Sequence, residues 1–202
     1  MADTEKKIIE YRGCRGVVAA VLATDNSTGL TYGEVFPLAG AAEISKSVDS
    51  SNESHFYDNE AQTNVSSVGD DSIKFSMSAI PFPVLSKILG EDYDEKTGIY
   101  TEGNADPPYC AVGYITTDTD GTDYYVWRYK GKFSIPEESH KTKDKGTDAS
   151  GQELTYTGIN THHKFENGKT AKGFVYNSSK GLITETEFFS KVTLKDEIQA
   201  SS

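Results

Sequence analysis

No stretch of this sequence approaches the roughly 18 consecutive apolar residues of a membrane-spanning helix. The opening residues, MADTEKKIIEYRG, carry charge where a secretory signal would have its apolar core. A protein made in a cytoplasm, and at first staying there, is the expectation. Cysteine is scarce: Cys14 and Cys110 lie far apart, so no disulfide framework is expected and both read as small buried apolar residues. Six prolines against 36% hydrophobic and 11% aromatic residues exclude a disordered chain. Cations are in deficit too, with 20 Lys and Arg against 31 Asp and Glu and a net charge of −11. Such a surface repels phosphates at large and excludes a protein that grips DNA, while leaving room for one that stands near DNA without holding it.

Catalytic signatures are missing as well. His55, His140, His162 and His163 show neither zinc-site nor catalytic spacing, and the adjacent pair would point to opposite faces of an extended chain. NGKT (167–170) ends like a phosphate-binding loop, but His163 stands where its first glycine belongs. DTDGTD (118–123) resembles the start of a calcium loop, yet Tyr129 occupies the position of the bidentate glutamate. Nucleophile-elbow and dinucleotide fingerprints are absent. These absences argue against an enzyme and give no reason to expect a metal or cofactor.

What the sequence has is strands. GVVAAVLA (16–23) is an apolar run of the kind buried on both faces. GEVFPLA and AEISKSV follow, and DSIKFSMSAI (71–80) alternates with Ile73, Phe75, Met77 and Ala79 on one side. One short helix is expected in PFPVLSKILG, with Pro83 in its first turn, a Val84, Leu85, Ile88, Leu89 stripe, and Gly90 ending it. A second helix is a candidate in ITETEFFSKV, where Thr184 and Glu187 have capping-box spacing and Ile183 can staple onto Phe188; a tail strand is the alternative there.

The most informative stretch is GTDYYVWRYKGKFSIP (121–136). Read as a strand it has an aromatic face, Tyr125, Trp127, Tyr129, Phe133 and Ile135, of which Tyr125, Trp127, Tyr129 and Phe133 are expected to be core, and a second face carrying Tyr124, Val126, Arg128, Lys130 and Lys132. PPYCAVGYITTDTDG precedes it. A two-residue turn at Asp120–Gly121 sets Tyr114 opposite Trp127, Val112 opposite Tyr129, Thr116 opposite Tyr125 and Gly113 opposite Arg128. The three cations are a solvated face, a surface for an anion, or electrostatic contacts between identical subunits, because complementary charges on one chain permit head-to-tail association; neutralisation by carboxylates of the same or the adjacent subunit is the expectation.

Long polar connections are expected at Ser47–Ala61, with Asp49, Glu53, Asp58 and Glu60, and at 137–152, with Lys141, Lys143 and Lys145; loops of this length are usually functional or disordered. Glu91–Asp106 is a further acidic stretch. No repeat or composition shift marks a second domain, so residues 1–202 read as one.

Taken in order, YRGCRG (11–16), AEISKS (42–47), FYDN (56–59), VLSKILG (84–90), PPYCAVGY (107–114), YVWRYKGKFSIPEES (125–139) and TYTGI (155–159) resemble the major tail protein family of long, non-contractile-tailed phages of Gram-positive bacteria. The likeness runs from about residue 8 to about residue 192. It implies a mainly β subunit of the tail-tube type, a β-sandwich or barrel subunit with one flanking helix, the helix being PFPVLSKILG. It also implies hexameric rings whose inner sheets join into a closed barrel, stacked as the tube through which DNA passes into the host. Partners would be further copies of the chain, the tape-measure protein, the tail terminator and the distal tail or baseplate protein. The two long connections would make ring-to-ring contacts, and the protein would reside in the virion tail after assembly in the host cytoplasm. The C-terminal immunoglobulin-like decoration of some family members has no room here. A β-sandwich module that binds carbohydrate or a host surface is the alternative; it would expose Trp127 and Tyr129, whereas a tube subunit buries them.

Overall fold

The computed structural model describes residues 10–57, 60–138 and 151–199, with the backbone alone for 49–57 and 60–68. The elements are β1 (Tyr11–Asn26), β2 (Gly29–Tyr32), β3 (Phe36–Pro37), β4 (Ala41–Tyr57), β5 (Glu60–Met77), α1 (Phe82–Leu89), β6 (Asp92–Asp94), β7 (Ile99–Thr101), β8 (Cys110–Asp118), β9 (Asp123–Phe133), β10 (Glu137–Glu138), β11 (Gln152–Gly158), β12 (Gly173–Asn177) and α2 (Glu185–Ser190). The fold is mainly β. Ten strands form one antiparallel sheet in the order β2-β1-β8-β9-β11-β5-β4, with β3 added to β1, β10 to β11 and β12 to β9; β6 and β7 make a separate hairpin.

One edge of β9 is shared between two partners, β12 along Tyr124–Arg128 and β11 along Gly131–Phe133. The sheet therefore splits there and curls over, so that the Phe75 ring of β5 meets Tyr114 of β8 edge-on at 6.1 Å. Between these layers lies one core, with Val17 and Ala19 of β1, Ile73, Phe75 and Met77 of β5, Val112 and Tyr114 of β8, and Leu85, Ile88 and Leu89 of α1. The other face of β1, β8 and β9 carries a second core: Ala20, Ile115, Tyr125, Trp127 and Tyr129, covered by Phe165, Tyr176, Phe188 and Val192. Within the apolar run 16–23, Val17 to Leu22 thus pack into the cores on both sides, while Gly16 and Ala23 at its ends are exposed.

Both helices follow their local signals. α1 begins after Pro81, with Pro83 in its first turn, and ends at Gly90, φ 70°, whose N–H bonds the Ser86 carbonyl. α2 has the full capping box: Thr184 Oγ1 accepts from the Glu187 N–H, and the Glu187 carboxylate accepts from the Thr184 N–H. It is fastened to the sheet by the Trp127 indole N–H, which donates to the Phe188 carbonyl at 3.2 Å, and by the Arg15 guanidinium, which donates to both Glu185 oxygens at 2.7 and 2.9 Å. Those bonds to Glu185, joined by one to Asp123, outweigh desolvation and raise the Arg15 pKa.

Two expectations are corrected. The β8–β9 turn spans three residues, not two: Asp118 N–H bonds the Thr122 carbonyl, and Gly121 takes φ 84°, the left-handed position after a tight turn. The register slips by one, so Val126, not Trp127, faces Tyr114, and Gly113 faces Trp127. Tyr114 consequently belongs to the opposite core, and the indole lies where a side chain at 113 would be: a Cβ on Gly113 would stand 2.9 Å from the rings of Trp127 and Phe189. The described residues of Ser47–Ala61 are also no loop. Along Ser50–Tyr57, β4 pairs with Glu60–Val68 of β5, which is the far half of a two-stranded ribbon; β11 reaches only Asp71–Met77 of β5.

Candidate interaction surface

The sequence-predicted basic stripe on β9 is broken by a bulge. Cys110 pairs with Gly131 and Val112 with Arg128, so Tyr129 and Lys130 together face the single residue Ala111. A bulge flips the side-chain alternation that follows it. Tyr125, Trp127 and Tyr129 are buried in the second core, whereas Phe133, expected beside them, is buried in the first. Ile135 lies beyond the strand and is 64% exposed.

The three cations go to three different places. Arg128 reaches Asp71 at 3.7 Å, sharing that carboxylate with Lys46 at 2.9 Å and Lys172 at 3.0 Å. Burial alone would push the Asp71 carboxyl up, but the ammonium groups of Lys46 and Lys172 bonded to it hold it below the ordinary carboxylate range. Lys130 meets Asp25, whose oxygens also accept the backbone N–H groups of His162 and His163 at 2.9 Å. Burial opposes ionisation there too; the Lys130 and backbone donors prevail and lower the Asp25 pKa. Lys132 is the exposed one, 3.7 Å from Asp106 and 5.1 Å above the Tyr109 ring, which also carries Lys130 at 4.9 Å.

Among the residues expected at ring contacts, Asp49, Glu53 and Glu60 have backbone positions on the ribbon; Asp58, Lys141, Lys143 and Lys145 lie outside the described residues, as does most of the 137–152 connection. The part of that connection that is described includes β10, which pairs with β11. The acceptors Asp25 and Asp71, and the cations Lys46 and Lys172, escape sequence reasoning. Only Asp71 leaves a trace, since it shares strand parity with Ile73, Phe75 and Met77 and is therefore a carboxylate on a core-facing position.

Nothing among the described residues groups three metal-binding side chains. Cys14 and Cys110 are free; burial pushes the Cys110 thiol up to about 12 and also raises Cys14. NGKT forms a tight turn rather than a phosphate cradle, with the Gly168 N–H bonded to the Phe165 carbonyl. No described helix is long and apolar enough to cross a membrane. What the chain does present is sheet edge. β4 is the terminal strand of the sheet, and no described strand pairs with its outer side over 17 residues.

A family model described as phage tail tube protein matches residues 39–199, well over half of the chain. No curated protein matches it.

Proposed function

Since the chain belongs to the phage tail tube protein family, we propose that this structural protein closes into six-membered rings that stack along a phage tail and conduct DNA into the host. The whole chain acts as one tail-tube domain. The observation that carries this reading is the outer edge of β4, with which no described strand pairs although β1 approaches it where Cys14 meets the Ile44 backbone. So long an unpaired edge on a solitary subunit invites uncontrolled strand addition, and closing the sheets of neighbouring copies into a barrel removes it. The net charge of −11 suits a conduit that lets phosphates slide without specific binding. Six as the ring number comes from the family resemblance, as do the tape-measure protein, the tail terminator and the distal tail or baseplate protein as further partners. The virion tail is then the final location and the host cytoplasm the place of assembly.

Within that reading Arg128 and Lys130 serve the subunit itself, each buried against a buried carboxylate of its own chain, whereas Lys132 and its neighbour Asp106 are both exposed. Lys132 remains as a contact between copies, and the ribbon bearing Asp49, Glu53 and Glu60 reaches toward the next ring, as does the connection with Lys141, Lys143 and Lys145. A carbohydrate-binding groove gains no support from Trp127 and Tyr129, both fully buried. Negative-stain microscopy with light scattering across a concentration series tests the proposal. Rings or hollow tubes are expected; a monomer at every concentration counts against it.

A further inference from the structure

Residues 159–172 form neither helix nor strand, yet they are held with many bonds. Asp25 accepts the N–H groups of His162 and His163, and is itself locked to the buried Lys130. Phe165 is buried and stacks on Tyr129 with ring centroids 5.3 Å apart. A bond from the Phe165 N–H to the Lys169 carbonyl closes the turn, and the Glu166 N–H donates to Asp196 at 2.8 Å. What this brace holds outward is Lys164 and Lys169, both exposed, with no ion partner among the described residues; Glu166 is the turn's one carboxylate. A rigid loop that displays two lysines on a chain of net charge −11 has the character of a recognition element.

Its complement is on the same chain. Past the C-terminal end of α1 lies a groove of about 430 Å³, lined by Leu85, Leu89 and Ile135 together with Glu91, Glu102 and Glu138, and by no lysine or arginine among the described residues. Glu91 accepts from the Tyr100 hydroxyl and Glu138 from Gln152, while Glu102 is exposed with no cation beside it among the described residues. Leu85 and Leu89 belong to one core, and Phe165 beneath the turn belongs to the other, so groove and turn flank opposite faces of the β1-β8-β9 layer. Two different complementary patches on opposite faces produce a contact that repeats from copy to copy, rather than a two-fold dimer.

We propose that the turn carrying Lys164 and Lys169 in one copy docks into the groove rimmed by Glu91 and Glu102 in the next, as a head-to-tail contact of the assembly. This rests on the tube reading and adds to it a pair of faces and their polarity.

Zero-length carbodiimide cross-linking of a mixture of light and ¹⁵N-labelled protein, read by mass spectrometry, tests it. Hybrid peptides joining Lys164 or Lys169 to Glu91 or Glu102 are expected. K169E and E102K, both at exposed positions, should each raise the concentration needed for assembly about tenfold or more, because like charges then face each other; the chain carrying both should recover. Emission of Trp127 checks that every variant is folded. Tubes or rings without these cross-links, and indifferent to the reversals, overturn the contact and leave the tube reading standing. Single reversals that block assembly but are not rescued by the swap overturn the pairing. A wild-type protein that neither assembles nor yields hybrid cross-links counts against both.

Discussion

Lys130 Nζ lies 2.7 Å from Asp25 Oδ2, with side-chain exposures of 8% and 4%. A pair this buried contributes little net stability when intact but is costly to halve, since the partner left behind is an uncompensated charge. Lys130→Met should therefore lower unfolding stability by about 3–5 kcal/mol. Asp25→Ala should cost at least as much, because it also strands the N–H groups of His162 and His163. Urea unfolding of the two variants checks both values, and equality with wild type would remove the pair from any structural role.

Acid should act through Asp25 and Asp71. Both carboxyls have folded-state pKa values below the ordinary one, despite burial, through the lysines and N–H groups bonded to them. Their contribution is complete above about pH 5 and shrinks as the pH falls through the ordinary value of about 3.9, where the unfolded chain takes up protons first; it is gone below the folded values. Asp71→Asn should flatten this acid limb while lowering stability at neutral pH, where Lys46, Lys172 and Arg128 lose their shared counterion. Parallel acid limbs for variant and wild type would contradict this.

Gly113→Ala places a methyl 2.9 Å from Trp127 and Phe189. Overpacking of this kind costs about 1–3 kcal/mol. Gly13→Ala, with nothing within 4 Å, is the control and should shift the melting temperature far less.

Trp127, the one tryptophan, reports on α2, because Phe188 both stacks over its ring and accepts its indole N–H. Thr184→Ala removes the cap and should cost about 1 kcal/mol. Acrylamide quenching of the emission should rise with it; unchanged quenching would show that α2 keeps its seat without the cap.

Thiol labelling at pH 8 should modify Cys14, which is partly exposed, well before Cys110, which is fully buried with its pKa pushed up to about 12. Denaturant should abolish the difference.

Elements whose signal is local could be read from the sequence. The α1 stripe with Gly90 behind it, the Thr184–Glu187 box and the alternation of Ile73, Phe75 and Met77 all depend on neighbours within a few residues and stand in the structure, whereas Ala79, expected on the same side, lies past the end of β5 and is exposed, with Ile80 buried instead. The β8–β9 register is not legible locally, because both two-residue and three-residue turns suit DTDGT. The choice falls to the long-range packing of Trp127 over Gly113, which no local rule contains. The ribbon escaped for another reason. Residues 47–68 lack the apolar alternation of a strand packed on a core, and a ladder of backbone bonds needs none. The three cations of β9 were visible, but the bulge at Tyr129–Lys130 and the distant acceptors Asp25 and Asp71 decide where each one points.

The second core has a bearing on timing during synthesis. Tyr125, Trp127 and Tyr129 are complete once β9 has left the ribosome, but the residues that cover them, Phe165, Tyr176, Phe188 and Val192, follow 32 to 59 residues after its last residue, Phe133. At a translation rate of about 5–20 residues per second, the nascent chain carries this aromatic surface uncovered for several seconds. Chaperone capture of the nascent subunit should concentrate in that interval, and the subunit reaches an assembly-competent surface only after its last segment has folded back across the sheet.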